Sequence, residues 1–396
     1  MKRVPFLLLI VLLPGLVAHA DWRQFRGNRA DGVADGPGPA DFDKPAWKVK
    51  LPGRGLSGPI VVRDKVVVTA SSGYRQDRLH VLCFSAKTGK QLWERKFWAT
   101  GRTQCHRKMC VATPNPASDG KRIFAFYSSN DLACLDFDGN LLWYRGLTHD
   151  FPNASNSLGM ASSPVVIGDT LVVQVESDAY SFATGINVAD GVSRWKKTRP
   201  KRANWTSPAV LTTKDGGRVA LLQSSKGLTA VHPKTGKELW NYGDGASTIP
   251  SSTVSGGVVY VPSHGITALR PRPESSAPEL LWQEGSLSPS VASPLVYKGK
   301  VYTMNRAGVL NAADAKTGKL VWRLRLKGPL SSTPLAADDR LYFFNEKGGA
   351  MIVDVSGVKG KIASSTDLGE TILCTPAISG GAVYVRSDGH LWKFAR

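Results

Sequence analysis

The sequence predicts an all-β fold, an eight-bladed β-propeller of four-stranded antiparallel blades, and three observations predict it. The first is a recurring phrase. AKTGKQLW at 86–93 returns as PKTGKELW at 233–240 and AKTGKLVW at 315–322, with weaker copies at 137–143 and 189–195. In each copy the Trp follows the Gly by four residues. One tight Gly turn and one aromatic per unit of about 40–50 residues is the mark of a propeller blade. The second is a set of small-residue-plus-Pro starts before apolar runs: Gly58-Pro59, Thr113-Pro114, Ser163-Pro164, Ser207-Pro208, Ser293-Pro294, Thr333-Pro334 and Thr375-Pro376, with Ser251-Ser252-Thr253 in the same place without Pro. The third is short Val-, Leu- and Tyr-rich runs parted by Gly-containing turns, with no stretch of helical period.

One unit shows how the strands follow. Residues 293–297 form the innermost strand and Lys298-Gly299 turns into 301–305. Arg306-Ala307-Gly308 turns into 309–313, and Lys316-Thr317-Gly318-Lys319 turns into the outer strand at 320–324. The Gly supplies a positive φ and the Trp packs between blades. Outer strands carry Trp93, Trp143, Trp195, Trp240, Trp282 and Trp322, and the next unit has Ser364 where a Trp belongs. The last unit stops at Trp392-Lys393-Phe394, before any outer strand. Residues 46–51 (AWKVKL) have an outer strand's Trp and alternation, so they complete the last blade from the N-terminal side. Closure of this kind removes free sheet edges. One domain, 21–396, is the expectation.

Residues 1–20 read as a signal peptide. Lys2-Arg3 precedes an apolar run from Val4 to Val17, and Ala18-His19-Ala20 sets the cleavage point before Asp21. The run is short of the roughly 20 residues that span a bilayer. A periplasmic or secreted protein is expected, with no transmembrane segment in the mature chain. The formal net charge is +20. Such a field attracts protein or polymer anions of the cell envelope, and export argues against nucleic acid as a partner. Dispersed Lys and Arg also guard outer strands against edge pairing. The run Arg194, Lys196, Lys197, Arg199, Lys201, Arg202 is dense enough to read as a partner site.

The repeat, Ala-x-(Asp)-x-x-Thr-Gly-x-x-x-Trp, resembles that of the PQQ-like propeller family, which is shared by quinoprotein alcohol dehydrogenases and BamB, the outer-membrane assembly factor. WRQFRGNRADG at 22–32, GRTQCH at 101–106 and LGMASSP at 158–164 resemble segments of secreted planctomycete members. For the dehydrogenases the resemblance implies a bay with adjacent cysteines against a quinone, a Ca²⁺ held by carboxylate and amide oxygens, and an Asp base. The chain has no Cys-Cys pair and no Cys-x-x-Cys-His haem site, and no residues fall on the calcium motif. Serine-hydrolase and phosphate-loop motifs are absent. Asp136, Asp138 and Asn140 read as turn residues, lacking the remaining ligands of a calcium loop. No cofactor and no catalytic residue is assigned.

Five cysteines remain. Cys83 and Cys134 share a slot with Ala230, Ala268 and Ala312, so they read as core thiols. Cys374 precedes an innermost strand and points toward the channel. CHRKMC at 105–110 lies in an insertion between the first two blades and has three readings: a Cys105–Cys110 disulfide, a Cu(I) site of Cys, His and Met ligands, or a basic ligand-contacting loop. A second insertion, 148–158, joins blades two and three, and Trp205 lies off the repeat register on the same face. Trp205 reads equally as a contact residue or as local packing. The ligand-binding residues expected are Arg102, Cys105, His106, Lys108 and Trp205. The function expected is a secreted, non-catalytic scaffold that binds protein or anionic polymer through its loop-rich face. The alternative is a quinone- or metal-dependent oxidoreductase.

Overall fold

A computed structural model describes residues 21–154, 158–272 and 275–396; the signal-peptide reading of 1–20 and part of the second insertion lie outside them. Eight four-stranded antiparallel sheets form the blades of a propeller. Blade 6 is representative: Leu295–Tyr297, Lys300–Met304, Val309–Asp314 and Leu320–Arg325 run from the channel to the rim. Blade 8 takes Ala377–Ser379, Ala382–Arg386 and His390–Ala395 from the C-terminal end, and its outer strand is Trp47–Lys50, with Trp47 opposite Lys393. The only α-helix among the described residues is the single turn Leu147–Asp150.

One register runs through all blades. In blade 6, Leu295, Tyr302, Ala312 and Trp322 lie side by side. Cys83 and Cys134 occupy the Ala312 slot opposite Trp93 and Trp143, both fully buried. The repeat Trp of blades 1, 2, 3, 5 and 6 then lies over the turn of the following blade. Gly139 has φ 85°, and a Cβ there would lie 2.8 Å from the Trp93 ring. The Trp93 indole Nε1 donates to Phe137 O at 2.9 Å. Trp143, Trp195 and Trp282 repeat this bond onto Val188, Pro233 and Ala315. Trp47 does the same across the closure, on Gly89 and Ala86 O at 3.2 Å. Ser364 occupies the repeat-Trp position opposite Ile352. The next blade borrows its outer strand, so no hairpin turn lies there to be covered.

The blade starts form a second ring, nearer the channel. The backbone N–H of Gly58 donates to the side chain of Asn115, Asn115 to Ser163, Ser163 to Ser207 and Ser207 to Ser251. The relay continues from Ser251 to Ser293, from Ser293 to Thr333 and from Thr333 to Thr375. These bonds explain the small polar residue at each start. They also correct one assignment: blade 2 begins at Asn115-Pro116, two residues later than Thr113-Pro114.

Residues 21–34 fill the channel at the opposite end. Trp22 exchanges backbone hydrogen bonds with Val61 of blade 1, and Arg23 O accepts from Ser118 of blade 2. The Gln24 side chain accepts from Val166 N of blade 3, and Gly32 O from Ala336 N of blade 7. Arg26, fully buried, donates to Thr253 Oγ1 and Ser252 O of blade 5, both at 2.6 Å. Inner strands whose channel edges would otherwise lack partners are thereby satisfied. The chain leaves past Phe42, which packs on Tyr342, Phe344 and Phe394, and reaches the outer edge of blade 8 at Trp47.

Candidate functional site on the loop-rich face

The channel is stoppered at one end, so the loops at the other end define the accessible chemistry. These loops lead from each outer strand into the next blade. The longest begins after Trp98 and runs inward over the channel mouth. Its His106 N donates to Leu158 O at 3.0 Å in the second insertion. Arg54, from the connection into blade 1, donates to Arg107 O and Met109 O at 2.9 and 2.7 Å. Lys108 Nζ reaches Glu346 of blade 7 at 2.9 Å. Burial opposes the charge of Glu346, but hydrogen bonds from Ser331 and Lys108 hold its carboxyl below the usual range.

The five expected ligand residues divide by role. Arg102 is exposed, with Nη2 2.5 Å from Gln104 Oε1. Cys105 is half-buried beside it, and the side chain of Gln76 approaches its Sγ at 3.9 Å. His106 is exposed and its Nδ1 accepts from Lys108 N at 3.2 Å. Lys108 is tied to Glu346. Trp205 donates its indole N–H to Gly159 O at 2.8 Å, and a Cβ at Gly159 would meet Cys105 Cβ at 2.7 Å. Trp205 thus buttresses the loop holding Cys105.

The cysteine cluster is resolved against a disulfide: all five cysteines are free thiols. Cys110 is fully buried and Cys105 is not, and burial followed by the neighbouring thiol raises Cys105 above the ordinary range. Both effects disfavour the thiolate, the form in which a cysteine acts as a nucleophile. Among the described residues no group of three or more His, Cys, Asp or Glu could hold a metal ion. Asp136 binds the amides of Asp138 and Asn140, as a turn residue. Cys374 precedes its strand and bonds inward, its Sγ 3.0 Å from Arg386 O. The basic run 194–202 is largely engaged within the fold. Arg194 pairs with Asp169, Lys197 with Glu238, and buried Arg199 with Glu176, while Lys196 sits over Phe151.

Sequence reasoning missed part of this face. A cleft of about 700 Å³ opens between blades 1 and 2, lined by Arg75, Gln76 and residues 101–105. Arg102 and Cys105 belong to it, but Arg75 and Gln76 were not foreseen.

The quinone and calcium implied by the dehydrogenase branch do not fit these residues. The channel holds Arg26 in place of a bay, and no pair of vicinal cysteines lies at its mouth.

Comparison with known proteins agrees on architecture. A family model described as outer membrane protein assembly factor BamB matches residues 40–107, 80–265 and 266–359. BamB from Moraxella catarrhalis superposes with a TM-score of 0.65 at 15% identity, over 89% of this chain and 97% of that one. A europium-containing methanol dehydrogenase gives 0.69 at 13%, over 95% and 98%. The quinohemoprotein alcohol dehydrogenase of Comamonas testosteroni gives 0.69 at 12%, over 95% and 80%. At these identities the likeness is one of fold. No curated protein matches the chain by sequence.

Proposed function

Since the chain belongs to the BamB family of PQQ-repeat propellers, we propose that it is a non-catalytic scaffold of the cell envelope, binding an anionic partner, protein or polymer, through its loop-rich face. One observation carries this reading. The channel is stoppered by residues 21–34, and the longest basic loop, 101–110, is spread over the opposite mouth. Recognition therefore falls to the loops, where Arg102 and Lys108 offer charge and His106 an exposed imidazole to an acidic partner. Trp205 and Cys105 serve as support. No helix among the described residues is long and apolar enough to cross a membrane.

The test is retention of envelope components by immobilised full-length protein. We expect a defined component to be held at low salt, released as salt rises, and lost when Arg102, His106 and Lys108 are replaced together by Ser. Equal retention by wild type and triple variant overturns the reading, as does no retention above background. The oxidoreductase alternative has the fold likeness to methanol and alcohol dehydrogenases behind it. A quinone absorption band or stoichiometric metal in the purified protein would displace the scaffold reading.

A further inference from the structure

We propose that blade 1 carries a serine-hydrolase site, with Ser72 as nucleophile, His80 as general base and Glu94 as the carboxylate that orients it, acting on carboxylic esters with a short acyl group. This goes beyond the scaffold reading, which rests on the loops, and confines the non-catalytic part of that reading to them.

The three side chains are linked by hydrogen bonds in series. Ser72 Oγ lies 2.6 Å from His80 Nε2, and His80 Nδ1 lies 2.6 Å from Glu94 Oε1. An ionised carboxylate only accepts, so Nδ1 carries the imidazole proton and Nε2 is left to accept from the Ser72 hydroxyl. A serine is activated by this order of groups at this spacing.

Strand register builds the series. Three neighbouring strands of blade 1, Lys65–Ser72, Arg78–Ser85 and Gln91–Trp98, each supply one member. Ser72 stands beside Arg78, Ala70 beside His80, and Leu82 beside Glu94, so alternation puts all three groups on one face. No local motif announces them, because they meet only across strands. His80 is 4% exposed, and Tyr127 of blade 2 donates to its carbonyl at 2.8 Å. Lys96 Nζ lies 3.5 Å from the second oxygen of Glu94.

The ring does not require this arrangement. The place of His80, opposite the residue three beyond the Trp position, is taken by Asp131 in blade 2, Phe182 in blade 3, Val309 in blade 6 and Gly349 in blade 7. A contact that propeller geometry demanded would recur in those blades.

The surroundings suit acyl transfer. Ser72 is half-buried and is followed by exposed Gly73, Tyr74 and Arg75, so solvent reaches the row from that end. Gly53 lies against the serine, where a Cβ would come within 2.8 Å of Ser72 Cβ. Arg78, its neighbour in the register, has a buried Nε without a hydrogen-bond partner, and its Cζ lies 3.9 Å from the centroid of the Trp98 ring. That guanidinium supplies positive charge beside the place where a carbonyl oxygen turns negative. Val68, Ala70 and Leu82, all fully buried, close the floor, which leaves no room for a long acyl chain.

Ser72 Oγ bonds to the ester carbonyl carbon as its proton passes to His80 Nε2. The bond from that carbon to the alcohol oxygen then breaks, and His80 gives the proton to the leaving oxygen. Water attacks the acyl-serine, losing a proton to His80. The acid departs and Ser72 regains its proton, so ester and water give acid and alcohol.

The purified full-length protein is tested with p-nitrophenyl acetate, p-nitrophenyl octanoate and a fluorophosphonate, the last read by peptide mass mapping. We expect acetate turnover above buffer, slower octanoate turnover, and phosphonylation at Ser72. Ser72→Ala should lower turnover about a hundredfold or more, and Glu94→Gln should lower kcat about tenfold or more with KM unchanged. Arg78→Gln should also lower kcat about tenfold or more. Melting curves of the variants verify folding, and the wild-type label reports on Ser72 even where a variant melts early. Wild type with neither turnover nor label overturns the proposal, as does equal turnover by folded Ser72→Ala or a label confined to other residues. Faster octanoate turnover overturns the short-acyl assignment. Ser72→Ala should retain envelope components as wild type does, so the scaffold and hydrolase readings fail separately.

Discussion

In the relay of blade starts, seven junctions of the ring are alike and the eighth differs. Between blades 1 and 2, a hairpin turn with its Gly meets the preceding Trp, and a side chain accepts the N–H of the neighbouring blade start. Each outer strand of blades 1 to 7 also carries a bulge directly beyond the Trp position. At the closure, Trp47–Lys50 pairs with blade 8 without a bulge, because no hairpin joins the two strands. The relay ends at Gly58, which has no side chain to accept the next N–H. Gly is required there, since a Cβ would lie 2.0 Å from Thr375 O. Arg386 fills the space beside it. It is fully buried over Gly55, donating to Ser57 Oγ at 3.1 Å and to Thr69 O, while its Nε and Nη2 lack partners. Repetition makes the regular junctions, and singular residues make the last one.

The largest separation should come from the Trp. Trp47→Ala removes the cover on Gly89, the bond to Ala86 O and the contact with Tyr384. A loss of about 3 kcal/mol is expected from the packing alone, at the low end for Trp→Ala because the ring is half-buried. Trp93→Ala, at a regular junction, should cost about as much in a urea unfolding midpoint. Only Trp47→Ala should also free an outer sheet edge and cause concentration-dependent association, seen by light scattering. Equal association of the two variants would erase the distinction. Next comes Gly58→Ala, which presses on Thr375 O and should cost about 1–3 kcal/mol. Ser251→Ala, which merely leaves the Ser207 N–H without its acceptor, should cost about 1 kcal/mol.

The smallest effect at neutral pH grows in acid. Glu370 receives Lys48 of the closing strand at 2.9 Å, Ser387 at 2.6 Å and His390 at 2.9 Å. Burial opposes its charge, yet these bonds lower its pKa from 4.5 to about 2. A carboxylate depressed by folding contributes stability that is complete above pH 4.5 and is lost as pH falls toward 2. Glu370→Gln should therefore flatten the acid limb of the stability profile while a regular junction's variants leave it alone.

These differences explain what could be read from the sequence. The Trp-to-Gly spacing was legible because each copy records one contact between neighbouring blades, repeated often enough to be seen in a single chain. The borrowed strand at Trp47 was legible because the last unit visibly lacks its own. Blade 2 was misplaced by two residues because Thr113-Pro114 and Asn115-Pro116 both satisfy a small-residue-plus-Pro pattern, and only the hydrogen-bond relay separates them. Residues 21–34 carry no period, so nothing in their pattern announced that Gln24 and Arg26 would close the channel. Trp205 was left between two readings because an unrepeated aromatic gives no internal comparison; the structure adds its bond to Gly159 O. The cleft wall at Arg75 and Gln76 was missed because its shape depends on left-handed backbone at two residues that are not glycine.

The strand at Trp47 has a consequence for assembly. It is among the first described segments to be synthesised, and its partner, His390–Ala395, is among the last. Until that partner exists, the strand has no sheet to join, and the ring remains a growing arc with two open ends. Pairing across so long a stretch of chain is slow relative to the local hairpins. The early blades must therefore tolerate a waiting period with their edges uncovered, and the basic outer strands are well suited to keep neighbouring molecules apart during it.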